Sequence, residues 1–187
     1  MLMNARGFSL LEVLIAMALS SMLLLSAASF LPSLQRVQLY GTQRLALEDE
    51  IWQCLYTVAK HLQRAGYCLG DCAGKGLVIA ESGECVIVQW DANNNGLWDT
   101  VPQKDAEQTG FRLHNQTLET LRGAASCTDA GWDKMTDPDS IAIEAFHVER
   151  RNQPGFAPQL TLRLRGSSKK QPGIAVEAQY SVTGFNL

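Results

Sequence analysis

Hydrophobicity is spread unevenly along the chain. Residues 8–31 form an apolar run of 24 residues interrupted by a single charge, Glu12. As a helix this run is roughly 36 Å long at about 1.5 Å per residue, enough to cross a bilayer core of about 30 Å. Ser20, Ser21, Ser26 and Ser29 are tolerated there because hydroxyls bond back to the preceding turn. Pro32 has no N–H to donate and is expected to kink or interrupt the helix at the membrane exit. Helical pattern resumes from about Ser33, a suitable N-cap. Val37, Tyr40, Leu47, Ile51, Leu55, Val58, Leu62 and Ala65 then recur at helical spacing, while Arg36, Glu48, Glu50, Lys60 and Arg64 fall mostly on other faces. Gly66 is placed to close the helix.

Beyond Gly66 the period changes from helical to two. Segments 77–80, 85–90, 109–113, 117–122, 140–148, 159–165 and 174–182 alternate or run apolar between Gly, Pro, Asn and Asp, and read as strands. Leu160, Leu162 and Leu164 alternate with Thr161, Arg163 and Arg165, so one face is buried. Asn115-Gln116 suggests a tight hairpin. Successive hairpins without helices between them imply an antiparallel sheet, and the Val37–Ala65 stripe is the sizeable partner for its apolar face. The fold class expected is α+β, with one long helix whose first half is apolar and whose second half packs on the sheet.

Composition narrows the function. Sixteen Lys+Arg against 19 Asp+Glu give a net charge of -3 in 187 residues. Nucleic-acid binding, which needs a strong basic field, is thereby disfavoured. His61, His114 and His147 have no neighbouring Ser or Cys with a nucleophile signature, so a non-enzymatic protein is expected. Residues 71–139 hold 12 acids and five bases, net -7, whereas 140–187 hold three acids and six bases, net +3. Opposed patches suit head-to-tail subunit contacts, and solvated faces are the simpler explanation.

Glu12 is costly in an apolar span, about 2–3 kcal/mol on insertion scales, and such a residue normally has a partner. A secretory signal peptide is the rival reading of the amino-terminal run. It is opposed by the length of the run, by a positive region reduced to Arg6, and by the absence of a clear cleavage site after it. A surface-lying membrane helix is a rival for the second stripe, opposed by its weakly basic polar face.

The residues Gly7-Phe8-Ser9-Leu10-Leu11-Glu12-Val13 resemble the signal of type IV pilins and type II secretion pseudopilins. That resemblance implies cleavage by a prepilin peptidase between Gly7 and Phe8, N-methylation of Phe8, and a role for Glu12 in assembly. A second stretch, His61-Leu62-Gln63-Arg64-Ala65-Gly66-Tyr67, together with the later hairpin, is similar to the minor pilins grouped with PilW and the J-type pseudopilins. The implied organisation is a leader at 1–7, a transmembrane and assembly half at 8–31, an amphipathic half at 32–66 and a β-rich periplasmic domain at 67–187. The resemblance implies an inner-membrane, single-pass subunit that enters a filament. Its partners would be the prepilin peptidase and other minor and major pilins or pseudopilins. Its role would be to help initiate or cap a type IV pilus. The alternatives are a J-type minor pseudopilin of a type II secretion system and a membrane-anchored periplasmic calcium-binding module.

All five cysteines lie beyond the apolar run, on the side where disulfides form readily for such a subunit. Cys68 and Cys72 are the most local candidate pair, and Cys85 with Cys127 a second, leaving Cys54 on the helix. Connectivity stays open at this point. A zinc site lacks a second close pair, and the spacing is not that of a C-x-x-C redox centre. Asp91, Asn93, Asn95 and Asp99, with Gly96 between them, match the first half of a calcium loop, the one metal or cofactor reading the sequence offers. Its twelfth position is Pro102, so Asp105 or Glu107 would have to fold back. The competing reading is an Asn/Gly-rich turn. Asp133, Asp137 and Asp139 read as a solvated acidic loop.

Overall fold

A computed structural model describes residue 7, residues 9–100 and residues 106–187. Two compact units emerge, residues 1–43 and 44–187, and one helix, α1 (Leu10–Arg64), contributes to both.

In the first unit α1 is exposed except at the half-buried Gly41 and Gln43, and α1 is the one described helix long and apolar enough to cross a membrane, with a window of mean hydropathy 2.1. Ser20, Ser26, Ser21 and Ser29 donate to Ala16, Met22, Ala18 and Ser26 carbonyls at 2.7–2.9 Å, so no hydroxyl in the run lacks a partner. Two expectations fail here. The helix runs through Pro32 without interruption. Ser33 is not a cap, because its hydroxyl donates back to Phe30 at 2.7 Å like the serines before it. Loss of one ladder bond costs about 3 kcal/mol in an ordinary helix, but neighbouring hydroxyls and carbonyls take up the slack in apolar helices.

In the second unit α1 buries Leu47, Ile51, Cys54, Leu55, Val58, Ala59 and Leu62. The buried stripe therefore starts at Leu47. Val37 and Tyr40 are 71% and 46% exposed, because the first unit carries no strand for them to pack on. The helix closes at Gly66, whose φ of +85° no other residue adopts cheaply, with Gly66 N–H donating to the Gln89 carbonyl at 2.8 Å.

The strands form two antiparallel sheets, where one had been expected. The first contains β1 (Leu77–Ile79), β2 (Cys85–Gln89), β3 (Gln108–His114), β4 (Thr117–Arg122) and β5 (Asp133–Lys134), paired in that order. Asp133 thus belongs to a short strand on Thr120 and not to a loop. The second contains β6 (Ile141–Arg151), β7 (Gln159–Ser168) and β8 (Ala175–Thr183). The chain changes sheet at a turn in which Asp137 accepts from Asp139 N–H and the Ser140 hydroxyl. Asn115 and Gln116 both have positive φ, 48° and 58°, the two-residue turn that matches strand twist.

One core joins all three layers. Leu160, Leu162 and Leu164 of β7 are at most 1% exposed and share a cluster with Ile51, Leu55, Val58 and Leu62 of α1 and Val86, Val88 and Phe111 of the first sheet. Gly166 lets β7 approach the helix, since a Cβ there would lie 2.8 Å from the Ile51 side chain. The outer face of the second sheet neutralises itself. Arg165 pairs with Glu144 at 2.8 Å, Arg163 with Glu177 at 3.6 Å and Arg151 with Glu149 at 3.7 Å. The three acids of residues 140–187 are taken up by this pairing, which leaves Arg150, Lys169 and Lys170 as the net positive charge inferred from composition.

Candidate functional site

The amino-terminal site is built around the start of α1. Gly7 is exposed and non-helical, with open space where a Cβ would stand. Phe8, the expected methylation position, lies outside the described residues, as does Arg6. Ser9 then caps the helix. Its hydroxyl accepts from Leu11 N–H at 3.3 Å, while Ser9 N–H donates to Glu12 Oε2 at 2.9 Å. This reciprocal arrangement is a capping box, worth about 1 kcal/mol, and it sets the Glu12 carboxylate at the positive end of the helix dipole. The S-x-x-E spacing that produces it was present in the sequence and overlooked. Chemically, the carboxylate sits one turn from the position where cleavage would create an amine.

The second region lies just past the end of α1, where two loops lock together. Cys68 and Cys72 are bridged, and so are Cys85 and Cys127, with Cα–Cα distances of 6.0 and 6.2 Å. Cys54 is free and buried, and burial with Glu50 nearby pushes its thiol up to about 11, which leaves it a poor nucleophile. Trp98 Nε1 donates to the Tyr67 carbonyl at 3.0 Å and Tyr67 Oη to Asn94 at 3.2 Å. Gly70 lies against Gly96 so closely that a Cβ would meet its carbonyl oxygen at 2.7 Å.

Asp91, Asn93, Asn95 and Asp99 fall in this loop pair and are tied together by hydrogen bonds within it. Asp91, 1% exposed, accepts from Leu69, Asn95 and Gly96 N–H at 2.9–3.1 Å. Burial alone would raise its pKa, and these backbone donors outweigh that and hold the carboxyl below its usual range. Asn93 and Asn95 turn their amide nitrogens to Asp99 Oδ2 at 2.9 and 3.0 Å, and spend their oxygens on backbone N–H groups. Glu107 accepts from Ala92, Asn93 and Asp99 N–H at 2.7–3.2 Å. Pro102 and Asp105 lie outside the described residues. Among the described residues no group of three or more His, Cys, Asp or Glu is placed to hold a metal. The described residues form an Asx-turn loop in which Asp91 and Glu107 accept from backbone N–H groups, the geometry of the plain-turn reading.

The three histidines are dispersed. His114 Nδ1 lies 3.5 Å from Glu119, and His147 Nδ1 is 3.1 Å from the Ser82 carbonyl. His61 is edge-on to Trp90 and Phe111 at 4.9 and 5.0 Å and lines a depression of about 540 Å³ with Trp90, Glu107 and Arg122. Burial, with Arg64 nearby, lowers its pKa to about 4, and its Nδ1 has no hydrogen-bond partner among the described residues. Among the described residues none of the three is hydrogen-bonded to a Ser hydroxyl or a Cys thiol. A node the sequence reading missed is Arg112, which binds Glu119 at 2.8 Å and the Cys127 carbonyl at 2.7 Å while stacking over Trp132 at 4.3 Å.

Comparison with known proteins gives these two regions a common context. Residues 2–28 match the prokaryotic N-terminal methylation motif, covering Gly7, Ser9 and Glu12. Residues 41–184 match the family described as prepilin peptidase-dependent protein B. The protein of that name from Escherichia coli (strain K12) is 63% identical over 182 residues, 97% of each chain. This chain belongs to the prepilin peptidase-dependent protein B family. A type IV-like pilin from Thermus thermophilus, 16% identical, shares its fold with a TM-score of 0.53 over 76% of this chain and 98% of its own. The α+β, type IV pilin-like architecture is thus established, with one long amino-terminal apolar helix and antiparallel sheets. Within the family match lie both disulfides, the Asp91 loop and the Arg112 node.

Proposed function

We propose that this chain is a minor pilin-like subunit without enzymatic activity, cut by a prepilin peptidase between Gly7 and Phe8 and N-methylated at Phe8. It sits in the inner membrane as a single-pass precursor with residues 44–187 in the periplasm, and it helps initiate or cap a type IV pilus together with other pilins. The observation that carries this reading is the coupling of two features: an apolar helix segment with no side chain buried in its own unit, and a methylation motif over residues 2–28 that runs into it. An apolar surface of that extent needs lipid or other helices around it. The bilayer provides the first environment and a bundle of subunit helices the second.

Glu12 gives the transfer a direction. In the capping box its carboxylate answers a backbone N–H of its own chain. Cleavage would add an α-amino group one residue before Ser9, and an ion pair with that amine, from the same or a neighbouring subunit, offsets the cost of a carboxylate in an apolar bundle. The two disulfides suit an oxidising compartment.

The test is mass spectrometry of the mature amino terminus from membranes with an active peptidase. Methyl-Phe8 is expected, and Gly7→Val should leave the full-length chain. Glu12→Ala should retain folded residues 44–187 while reducing co-purification with other pilins after crosslinking. Recovery of the shortened form from Gly7→Val would end the proposal.

A further inference from the structure

The second sheet has two edges, and they are treated differently. On β6 the outward N–H groups of Ile143 and Val148 donate to the Gln116 and Gly83 carbonyls at 2.8 and 2.9 Å, so turns of the first sheet close that side. The edges of the first sheet itself are short, three residues in β1 and two in β5. β8 instead runs for nine residues as the last strand of its sheet.

The phase of its pairing is fixed at both ends. Gly184 N–H donates to the Pro158 carbonyl and Ser168 N–H to the Ile174 carbonyl, each at 2.9 Å, in the register that pairs Leu162 with Tyr180. Even-numbered residues of β8 therefore bond β7, and Ala175, Glu177, Gln179, Ser181 and Thr183 turn their N–H and C=O groups to the open side. No strand among the described residues answers them. Natural edges are blunted by Pro, by a bulge or by several charges. β8 has no Pro, its register is unbroken, and its one charge, Glu177, is held by Arg163 at 3.6 Å.

The helix supplies a floor beyond this edge. α1 approaches β7 at Gly166, and Tyr56 reaches past β7 to meet Tyr180 of β8 edge-on at 5.3 Å. Trp52 stacks on Tyr56 at 5.4 Å, and Tyr56 stays 47% exposed. A strand added about 4.8 Å beyond β8 would lay alternate side chains over these rings. The row of backbone groups selects an extended polypeptide, and the aromatic row selects an apolar side chain at every second position. A second copy of β8 does not meet that requirement. Its inward Ala178 and Val182 are already buried in its own core.

We propose that the open edge of β8, with Trp52 and Tyr56 of α1 beside it, binds an extended segment of another polypeptide that alternates apolar with polar residues and adds antiparallel to β8. The site lies wholly within residues 44–187 and does not depend on cleavage at Gly7.

The probe is a synthetic peptide alternating valine and phenylalanine with threonine, with a terminal lysine pair for solubility, added to the full chain in detergent micelles. Amide hydrogen exchange is the readout. In the free chain Glu177, Gln179 and Ser181 should exchange freely while Ala178 and Tyr180 are protected, and the peptide should slow the first three at least about tenfold. Gln179→Pro removes an N–H that serves no bond within the chain, so β6–β8 should keep their protection while peptide affinity falls about tenfold. Tyr56→Ala should weaken binding by a similar factor without exposing the β8 ladder. The same peptide N-methylated at alternate residues cannot donate to the edge and should not bind, a control that leaves the protein unchanged. The proposal is overturned by absence of protection at the solubility limit of the peptide, by binding that leaves the three amides unprotected, or by equal binding of the N-methylated peptide. Protection that appears without peptide and grows with protein concentration would make a second copy the occupant, and overturns it as well.

Discussion

The two disulfides should contribute very unequally to stability, and the difference follows from the loops they close. Cys68 and Cys72 are four residues apart, Cys85 and Cys127 forty-two. Closing a loop restricts the unfolded chain in proportion to the logarithm of its length. The shorter bridge is therefore worth about 2 kcal/mol and the longer about 4 kcal/mol. Native contacts push the same way. Cys85 is 6% exposed at the start of β2, and Cys127 holds the loop whose carbonyl receives Arg112. The Cys68–Cys72 loop keeps its attachments through Asp91, Tyr67 and Trp98 whether or not the sulfurs are joined. Paired Cys→Ala variants of each bridge, unfolded in urea with the full chain in detergent micelles, give the comparison. Tryptophan fluorescence is the readout, since Trp132 lies beside one bridge and Trp98 beside the other. Cys85→Ala/Cys127→Ala should lose about twice the free energy of Cys68→Ala/Cys72→Ala. Equal losses, or a larger loss from the short loop, would refute the reasoning.

Other expectations are equally specific. The His61 pKa is lowered to about 4 in the folded state. Acidification from pH 7 to pH 5 protonates that imidazole in the unfolded chain first, and stability should fall by about 1–2 kcal/mol after discounting for the part of the ring that meets solvent. His61→Leu should remove that slope in urea titrations, and an unchanged slope would show that other groups cause it. Asp91→Ala should speed amide hydrogen exchange at Leu69, Asn95 and Gly96, the three donors it holds, while β6–β8 keep their protection. Gly66→Ala combines a left-handed backbone with a Cβ that would collide with the Asn186 carbonyl oxygen, so thermal unfolding should report a loss of about 2 kcal/mol or more.

The layer composition of the fold was legible because it depends on local periodicity. The 24-residue apolar run, the switch from helical to alternating spacing after Gly66 and the Leu160–Leu164 alternation each describe one element by itself. What failed depended on distance. Periodicity cannot say how far a sheet extends along a helix, so Val37 and Tyr40 were assigned to a buried stripe that starts at Leu47. Division into two sheets turns on hydrogen bonds around Asp137, and the two residues of β5 are too few to show a pattern. The Asp91 loop meets the same limit. Ligand spacing and backbone capping use the same residue types, and only the directions of the oxygens separate them. Ser9 was the opposite case, a short-range signal left unread beside the more conspicuous Glu12.

The carboxy-terminal residues bear on how the protein can be handled. Leu187 packs on the core cluster, the Asn186 backbone lies against Gly66, and a Cβ on Gly184 would strike the Leu187 side chain at 2.7 Å. An affinity tag fused after Leu187 would leave from a residue wedged beside the helix closure and would tend to pry it open. The β6–β7 turn is the better port. Gly155 has open space around it and Phe156 is 77% exposed, so a tag or fluorophore inserted there displaces nothing.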